Sequence, residues 1–284
     1  MDKLLQWSIA QQSGDKEAIQ KLGQPDPKML EQLFGGPDEP TLMKQAIAVI
    51  QNPEATLEDK EIAFDNFEML IENLDNANNI ENMKLWPAIV NQLEDGVPAT
   101  LRVYAASVIG TAVQNNPKAQ EDFNKTSGPE KLIKIASDEK TPKDLLLKTL
   151  YALSSAMRNF KPAYANFVEN NGWNIISLSK ENDHKIQLRQ LSAVSSILST
   201  GLDEDKQENI QNAKLVEYLV SILTKDGHIG CIEKALNIIS ELAHYKYQFT
   251  STEIARLAQG LEQIETLSDR LTEEDLVSAK KIVS

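Results

Sequence analysis

The sequence predicts an all-α fold, a solenoid of stacked helical repeats, and two observations carry the prediction. Apolar residues recur at helix period over most of the 284 residues, and one apolar pattern returns every 41–44 residues. A third observation agrees with them. Twelve Gly and 11 Pro are too few for a turn-rich β protein, and aromatic residues make up only 6%.

The first stretch, Asp2 to about Leu22, reads as an amphipathic helix interrupted at Gly14. Gly23-Gln24-Pro25-Asp26-Pro27 stops it, because two prolines two apart cannot continue a helix. A short helical piece, Lys28–Phe34, precedes a second break, Gly35-Gly36-Pro37-Asp38-Glu39-Pro40. The expected organisation is therefore an N-terminal helical arm over residues 1–22, a Gly/Pro-rich linker over 23–40 and a repeat domain over 41–284. From Thr41 onward helical periodicity dominates. Pro87, Pro98, Pro117, Pro129 and Pro142 then fall between helices or in their first turns, where proline is tolerated.

The repeat is read from triplets spaced i, i+3, i+7, which share one helical face. They are Phe64/Phe67/Ile71, Ala106/Ile109/Val113, Leu150/Leu153/Met157, Leu191/Val194/Leu198 and Ala235/Ile238/Leu242, at steps of 42, 44, 41 and 44 residues. A second series, Ile89, Leu132, Ile176 and Leu219, advances by 43, 44 and 43, and Gly128 and Gly172 lie 44 apart. Units of about 40–47 residues with two or three helices are the armadillo/HEAT pattern. One such unit cannot cover its own apolar stripe, so neighbours stack and share a continuous core. A helical bundle with coincidentally similar helices is the competing reading. The last segment, Asp269–Ser284, reads as a polar-faced helix that caps the array.

In armadillo repeats the long third helix lines the concave surface, and here it carries the first series of triplets. Read in register, the inward positions are Asp65, Ser107, Tyr151 and Ser192, then Met69, Thr111, Ser155 and Ser196, then Glu72, Gln114, Arg158 and Ser199. Importin-like armadillo proteins hold extended basic peptides with Trp and Asn at the first two of these series. Neither residue occurs there, which argues against a nuclear-import adaptor. The face is mixed-polar, acidic toward its N-terminal end and more basic near Arg158 and Arg189, a pattern suited to docking on a folded, charged surface. A solvated face that binds nothing is the plainer alternative.

Composition narrows the function further. Net charge is −13, from 29 basic and 42 acidic side chains, and no Lys/Arg run appears, so nucleic acid is not an expected partner. A single cysteine, Cys231, permits no internal disulfide and fits a reducing compartment. No stretch is long and apolar enough to span a bilayer, and the N-terminal residues show no secretory signal pattern. The expectation is a cytoplasmic protein with no membrane association. His184, His228 and His244 show no zinc-ligand spacing, and the two former read as surface loop residues. No phosphate loop, dinucleotide fingerprint or serine elbow occurs. Asp65, Glu68 and Glu72 share a helical face that could position carboxylates for acid/base work, but no base or metal motif accompanies them. The expectation is a non-enzyme with neither cofactor nor metal.

Several segments match a known family in order. They are Lys3-Leu4-Leu5-Gln6-Trp7-Ser8-Ile9-Ala10, the 23–27 break, Gln32-Leu33-Phe34-Gly35-Gly36, the run Ala63 to Asn79, and Ile109-Gly110-Thr111-Ala112-Val113-Gln114-Asn115-Asn116. The sequence resembles the armadillo-type nucleotide exchange factors of cytosolic 70-kDa heat-shock chaperones, specifically the fungal Fes-type factors of the heat-shock-protein-binding-protein family. The resemblance is strongest in residues 1–120 and loosens toward the C-terminus. It implies a monomeric co-chaperone that embraces one lobe of the chaperone's nucleotide-binding domain, speeds ADP release and promotes substrate release, with ribosome-associated chaperones among the candidate partners.

The resemblance also implies a client-release role for the arm residues Leu4, Leu5, Trp7 and Ile9. It places the chaperone contact at Ala77, read as lying in the turn after the first array helix, with Asp75, Asn76, Asn78 and Asn79 around it. Arg189, Glu72 and Arg158 complete the expected contact set. Plain helix termination is the other reading of the Asn-rich segment. The rival function is an armadillo scaffold or cargo adaptor without exchange activity.

Overall fold

A computed structural model of the chain describes residues 14, 16, 17, 21, 37–176 and 183–284. The arm residues Leu4, Leu5, Trp7 and Ile9, and the Lys28–Phe34 helix, lie outside the described residues. Compactness divides the chain into residues 1–45 and residues 46–284. Helix α1, Glu39–Gln51, begins inside the expected linker, two residues before Thr41. Asp38 starts it, its carboxylate accepting from the Thr41 backbone N–H at 2.9 Å, and Pro40 falls in the first turn.

The described residues of the second unit form helices joined by short connections, with no strand among them. Six of its helices, α2 (Leu57–Ile71), α5 (Ala99–Val113), α8 (Lys143–Met157), α10 (His184–Leu198), α13 (Ile229–His244) and α15 (Glu273–Val283), each pack on the next like rungs of a ladder. Between rungs run the other helices, α3 (Leu74–Asn82), α4 (Trp86–Val90), α6 (Pro117–Asn124), α7 (Gly128–Ser137), α9 (Pro162–Glu169), α11 (Glu204–Asn212), α12 (Leu215–Ile222) and α14 (Ser251–Gln263). Single 3-10 turns at Asn91–Leu93, Gly172–Ile176 and Glu265–Arg270 complete the path.

Local chemistry starts the helices. Thr56 with Asp59 and Thr250 with Glu253 form capping boxes on α2 and α14, while Asn73, Asn116, Asp183 and Asp203 cap α3, α6, α10 and α11. After the rungs α5, α8, α10 and α13 the chain reverses through a left-handed residue, Asn115 (φ 52°), Asn159 (φ 56°), Gly201 (φ 83°) and Lys246 (φ 61°). Asn and Gly reach this conformation at least cost, which accounts for three of the four.

All fifteen residues of the five triplets are buried, as are Ile89, Leu132, Ile176 and Leu219. The stripe of every rung therefore enters one core shared with its neighbours. The two glycines 44 apart have a matching physical role. A Cβ on Gly128 would collide with the Phe123 ring, and one on Gly172 with the Phe167 ring, so each glycine lets the preceding helix seat its aromatic. Trp86 meets Phe123 with ring centroids 5.4 Å apart, and Phe167 meets Trp173 edge-on at 5.5 Å.

Candidate partner-binding face of the rung helices

Lateral packing of the rungs buries part of each expected inward series. Ser107, Ser155 and Ser196 are buried, so they close the seams between helices instead of lining an open groove. Small hydroxyl side chains fit there because adjacent helix axes lie only about 8–10 Å apart. The seams are stitched by hydrogen bonds. Glu68 Oε1 accepts from Ser107 Oγ and Thr111 Oγ1, both at 2.7 Å, joining α2 to α5. Lys148 Nζ donates to Ser107 Oγ at 2.9 Å, joining α8 to α5. Ser154 Oγ and Ser196 Oγ stand 3.0 Å apart between α8 and α10, and Lys234 Nζ of α13 donates to Ser195 Oγ at 3.1 Å. Buried amides add rigidity: Gln120 Nε2 donates at 2.9 Å to the carbonyls of both Ser155 and Arg158.

What remains open on this face is a band of longer side chains. Met69 is 65% exposed, Glu72, Gln114 and Arg189 are exposed, and Tyr151 and Arg158 are half-buried. Tyr151 OH donates to Gln114 Oε1 at 3.2 Å, and the Arg189 guanidinium lies 5.3 Å from the Tyr151 ring centroid. Farther along, burial holds the Lys234 ammonium below the ordinary lysine range and pushes the Glu241 carboxyl upward, the latter opposed by Lys234 and Arg158 nearby.

The expected contact residues separate into two groups. Glu72 is the exposed C-cap of α2, and Asp75 is exposed in the first turn of α3. Arg158 ends α8 and Arg189 lies in the first half of α10, two and three rungs from α2. Ala77 is not in a turn: it belongs to α3 and is only 3% exposed. Asn76 is also buried, its Nδ2 donating to the Leu70 carbonyl at 2.9 Å. The Asn-rich segment is helical because Asn73 caps it and Ala77 and Ile80 supply its buried face. Asn78 and Asn79 are half-buried, the Asn78 carbonyl accepting from Lys118 Nζ at 3.2 Å and Asn79 Oδ1 from Asn82 Nδ2 at 3.0 Å.

His184 is helical and not a loop residue, whereas His228 lies in the connection just before α13, as expected. His184 begins α10, His228 caps α13, and their exposed rings stack 4.4 Å apart. Among the described residues no group of three His, Cys, Asp or Glu side chains is placed to hold a metal ion. The Cys231 thiol is buried and pushed up to about 11 by that burial, so it is no thiolate nucleophile at neutral pH. No described helix is long and apolar enough to cross a membrane. Two features of the face are invisible to helical patterning: Lys148, whose reach across to Ser107 depends on the seam, and the ring-on-guanidinium contact between α8 and α10.

Residues 1–80 match the family model "Nucleotide exchange factor Fes1", and residues 76–221 match the "SIL1/FES1/HPBP1 C-terminal domain". The protein named Hsp70 nucleotide exchange factor FES1 from Debaryomyces hansenii is 62% identical, covering 100% of both chains. Proteins of the same name from Candida albicans and Saccharomyces cerevisiae are 50% and 44% identical, again over 100% of each chain. Among solved structures, a designed armadillo repeat protein in complex with the peptide (KR)4 matches with a TM-score of 0.69 at 14% identity, covering 85% of this chain and 99% of that one. An armadillo-repeats-only protein from Plasmodium falciparum gives a TM-score of 0.57 at 12% identity, over 76% and 96% of the two chains. These two likenesses establish the armadillo fold.

Proposed function

The chain belongs to the Fes1 family, and on that premise we propose that it is a nucleotide exchange factor, a co-chaperone that binds a 70-kDa heat-shock chaperone, accelerates ADP release and so promotes substrate release. The observation that carries this reading is similarity along the whole chain, arm and array together, to proteins named for that activity. The geometry supplies a means. An array whose rungs are tied by Glu68–Ser107–Lys148 and by Ser154–Ser196 is stiff, so it can hold one lobe of a partner against a restoring force.

Exchange needs no covalent chemistry. A protein that binds the nucleotide-free, open chaperone more tightly than the closed one shifts the population toward the open form and lets ADP leave. In this reading the chain works without cofactor or metal, as a monomer in the cytosol, and neither nucleic acid nor membrane is a partner. Glu72, Asp75, Arg158 and Arg189 are the exposed or half-exposed groups that meet the chaperone's nucleotide-binding domain. Asn78 and Asn79 border that contact, while Ala77 and Asn76 support it from beneath. Leu4, Leu5, Trp7 and Ile9 act separately, competing with client polypeptide for release, and ribosome-associated chaperones are tested beside the soluble ones.

Release of a fluorescent ADP analogue from a purified cytosolic 70-kDa chaperone is the test. The full chain is expected to raise the rate at least tenfold, and an unchanged rate overturns the reading. A chain lacking residues 1–22 is expected to keep accelerating ADP release while discharging client poorly. Tight binding of extended peptides to the rung face, with no change in ADP release, would identify a cargo adaptor instead.

A further inference from the structure

Arg189 sits on an acidic protein, yet among the described residues it makes no ion pair. An exposed guanidinium ordinarily samples many rotamers, and ordering it on binding costs part of whatever it gains. Here it has a seat. The Tyr151 ring, one rung away, lies 5.3 Å from the guanidinium carbon, and the Lys148 ammonium lies 5.9 Å from the same ring.

The ring is itself held. Its hydroxyl donates to Gln114 Oε1 at 3.2 Å, and its body fills the space left by the missing side chain of Gly110, where a Cβ would collide with Cε1 and Cδ1 of the ring. Gly110 lies inside α5, at the start of its last turn, where glycine costs helix stability relative to alanine. That cost is consistent with a helix that must admit an aromatic ring at close range. Lys148 is already engaged by Ser107 Oγ at 2.9 Å, which leaves Arg189 as the cation of this cluster that projects unpaired.

We propose that Tyr151 is a positioning residue for partner recognition. Seated in the gap at Gly110 and fixed by Gln114, it holds Arg189 by a cation–π contact in the conformation that receives a carboxylate on the chaperone's surface. The proposal rests on the exchange-factor reading and deepens it by naming what makes Arg189 ready. A planar guanidinium offers a fixed fork of donors to a carboxylate, and a ring beneath it limits its orientations without consuming those donors. Lysine at the same place would keep the charge and lose the fork.

The experiment combines chaperone binding by the full chain with a measurement that needs no chaperone. In the free protein, the NMR signals of the Arg189 δ-methylene and Nε–H are expected to show ring-current shifts and restricted motion. Tyr151→Leu should abolish both effects, and Tyr151→Phe should retain them. In binding, Arg189→Ala should weaken affinity roughly tenfold or more. Tyr151→Leu should weaken it about threefold, the scale of an exposed cation–π contact. Tyr151→Phe should restore most of that loss, and Tyr151→Leu should add nothing in the Arg189→Ala background.

Additive losses in the double variant, or an Arg189 whose signals do not respond to Tyr151→Leu, would overturn the positioning role. Gly110→Ala is expected to reproduce the Tyr151→Leu signature by displacing the ring, with unchanged circular dichroism confirming that the array still folds. A wild-type chain that accelerates ADP release while Arg189→Ala binds normally sinks this proposal and spares the exchange reading. A wild-type chain with no effect on ADP release sinks both.

Discussion

Replacing Lys206 by methionine is expected to destabilise the array by about 3 kcal/mol. Lys206 is only 2% exposed, although it lies in the polar run of α11. Its Nζ donates to the Ile197 carbonyl at 2.9 Å, Thr200 Oγ1 at 2.9 Å and the Gly201 carbonyl at 2.8 Å, and sits 4.7 Å from the Tyr164 ring centroid. One ammonium thus satisfies oxygen atoms at and beyond the C-terminus of α10, where the helix dipole favours positive charge. Methionine matches the lysine stem in length but donates nothing. Each orphaned acceptor costs about 1–3 kcal/mol, and relief from burying the ammonium offsets part of the sum. For a domain of this size the net loss corresponds to a fall in Tm of roughly 5–10 °C. Thermal unfolding followed by circular dichroism measures it, with Lys225→Met, at an exposed position, as the control. Hydrogen exchange should show faster opening at the end of α10. A Tm within about 1 °C of the parent would refute the reasoning that Lys206 locks α10 to α11.

Other outcomes follow from particular contacts. Gly128→Ala and Gly172→Ala should each cost roughly 1–3 kcal/mol by driving a methyl group into Phe123 or Phe167, whereas Gly96→Ala, with open space around it, should lie within about 0.5 kcal/mol of the parent in urea unfolding. Ala77→Arg should lower Tm because it forces a long charged side chain into a buried site, while Glu72→Ala and Arg158→Ala leave Tm unchanged; differential scanning fluorimetry separates the two behaviours. Asp203 is held below its ordinary value of 3.8, chiefly by the Lys206 backbone N–H. Its folded pKa being depressed, its contribution is fully present above that ordinary value and is lost as pH falls through the lower folded value. Asp203→Asn should therefore flatten part of the acid limb of a Tm-against-pH curve, and an unaltered limb would count against the cap.

The repeat was legible because a 3.6-residue stripe that returns every 41–44 residues leaves few other ways to bury it, and all fifteen triplet positions are buried. Stacking of the rungs was legible, but how much of the inward face it covers was not. From the sequence Ser107, Ser155 and Ser196 read as lining a groove, because helical periodicity gives a direction for each side chain but not the width of the face that neighbouring rungs cover. The segment Asp75 to Asn79, inside the helix Leu74–Asn82, read as a turn for a related reason. Four asparagines lower the intrinsic propensity of that helix, yet the Asn73 cap and burial of Ala77 and Ile80 outweigh them. Lys206 was hidden for the opposite reason, since nothing in Glu204-Asp205-Lys206-Gln207-Glu208 distinguishes a lysine that folds back under its helix from four solvated neighbours. Of the expected contact residues, Glu72, Asp75 and Arg189 are exposed and Arg158 is half-buried, whereas Ala77 and Asn76 turn inward.

The central claim is that this array prefers the open, nucleotide-free chaperone. Binding linkage makes that preference directly measurable, because a protein that weakens ADP binding must itself be weakened by ADP by the same factor. Calorimetric titration of the chain into a chaperone nucleotide-binding domain, first stripped of nucleotide and then saturated with ADP, compares the two affinities. The account predicts binding at least tenfold tighter to the nucleotide-free domain. Equal affinities in the two titrations would contradict it.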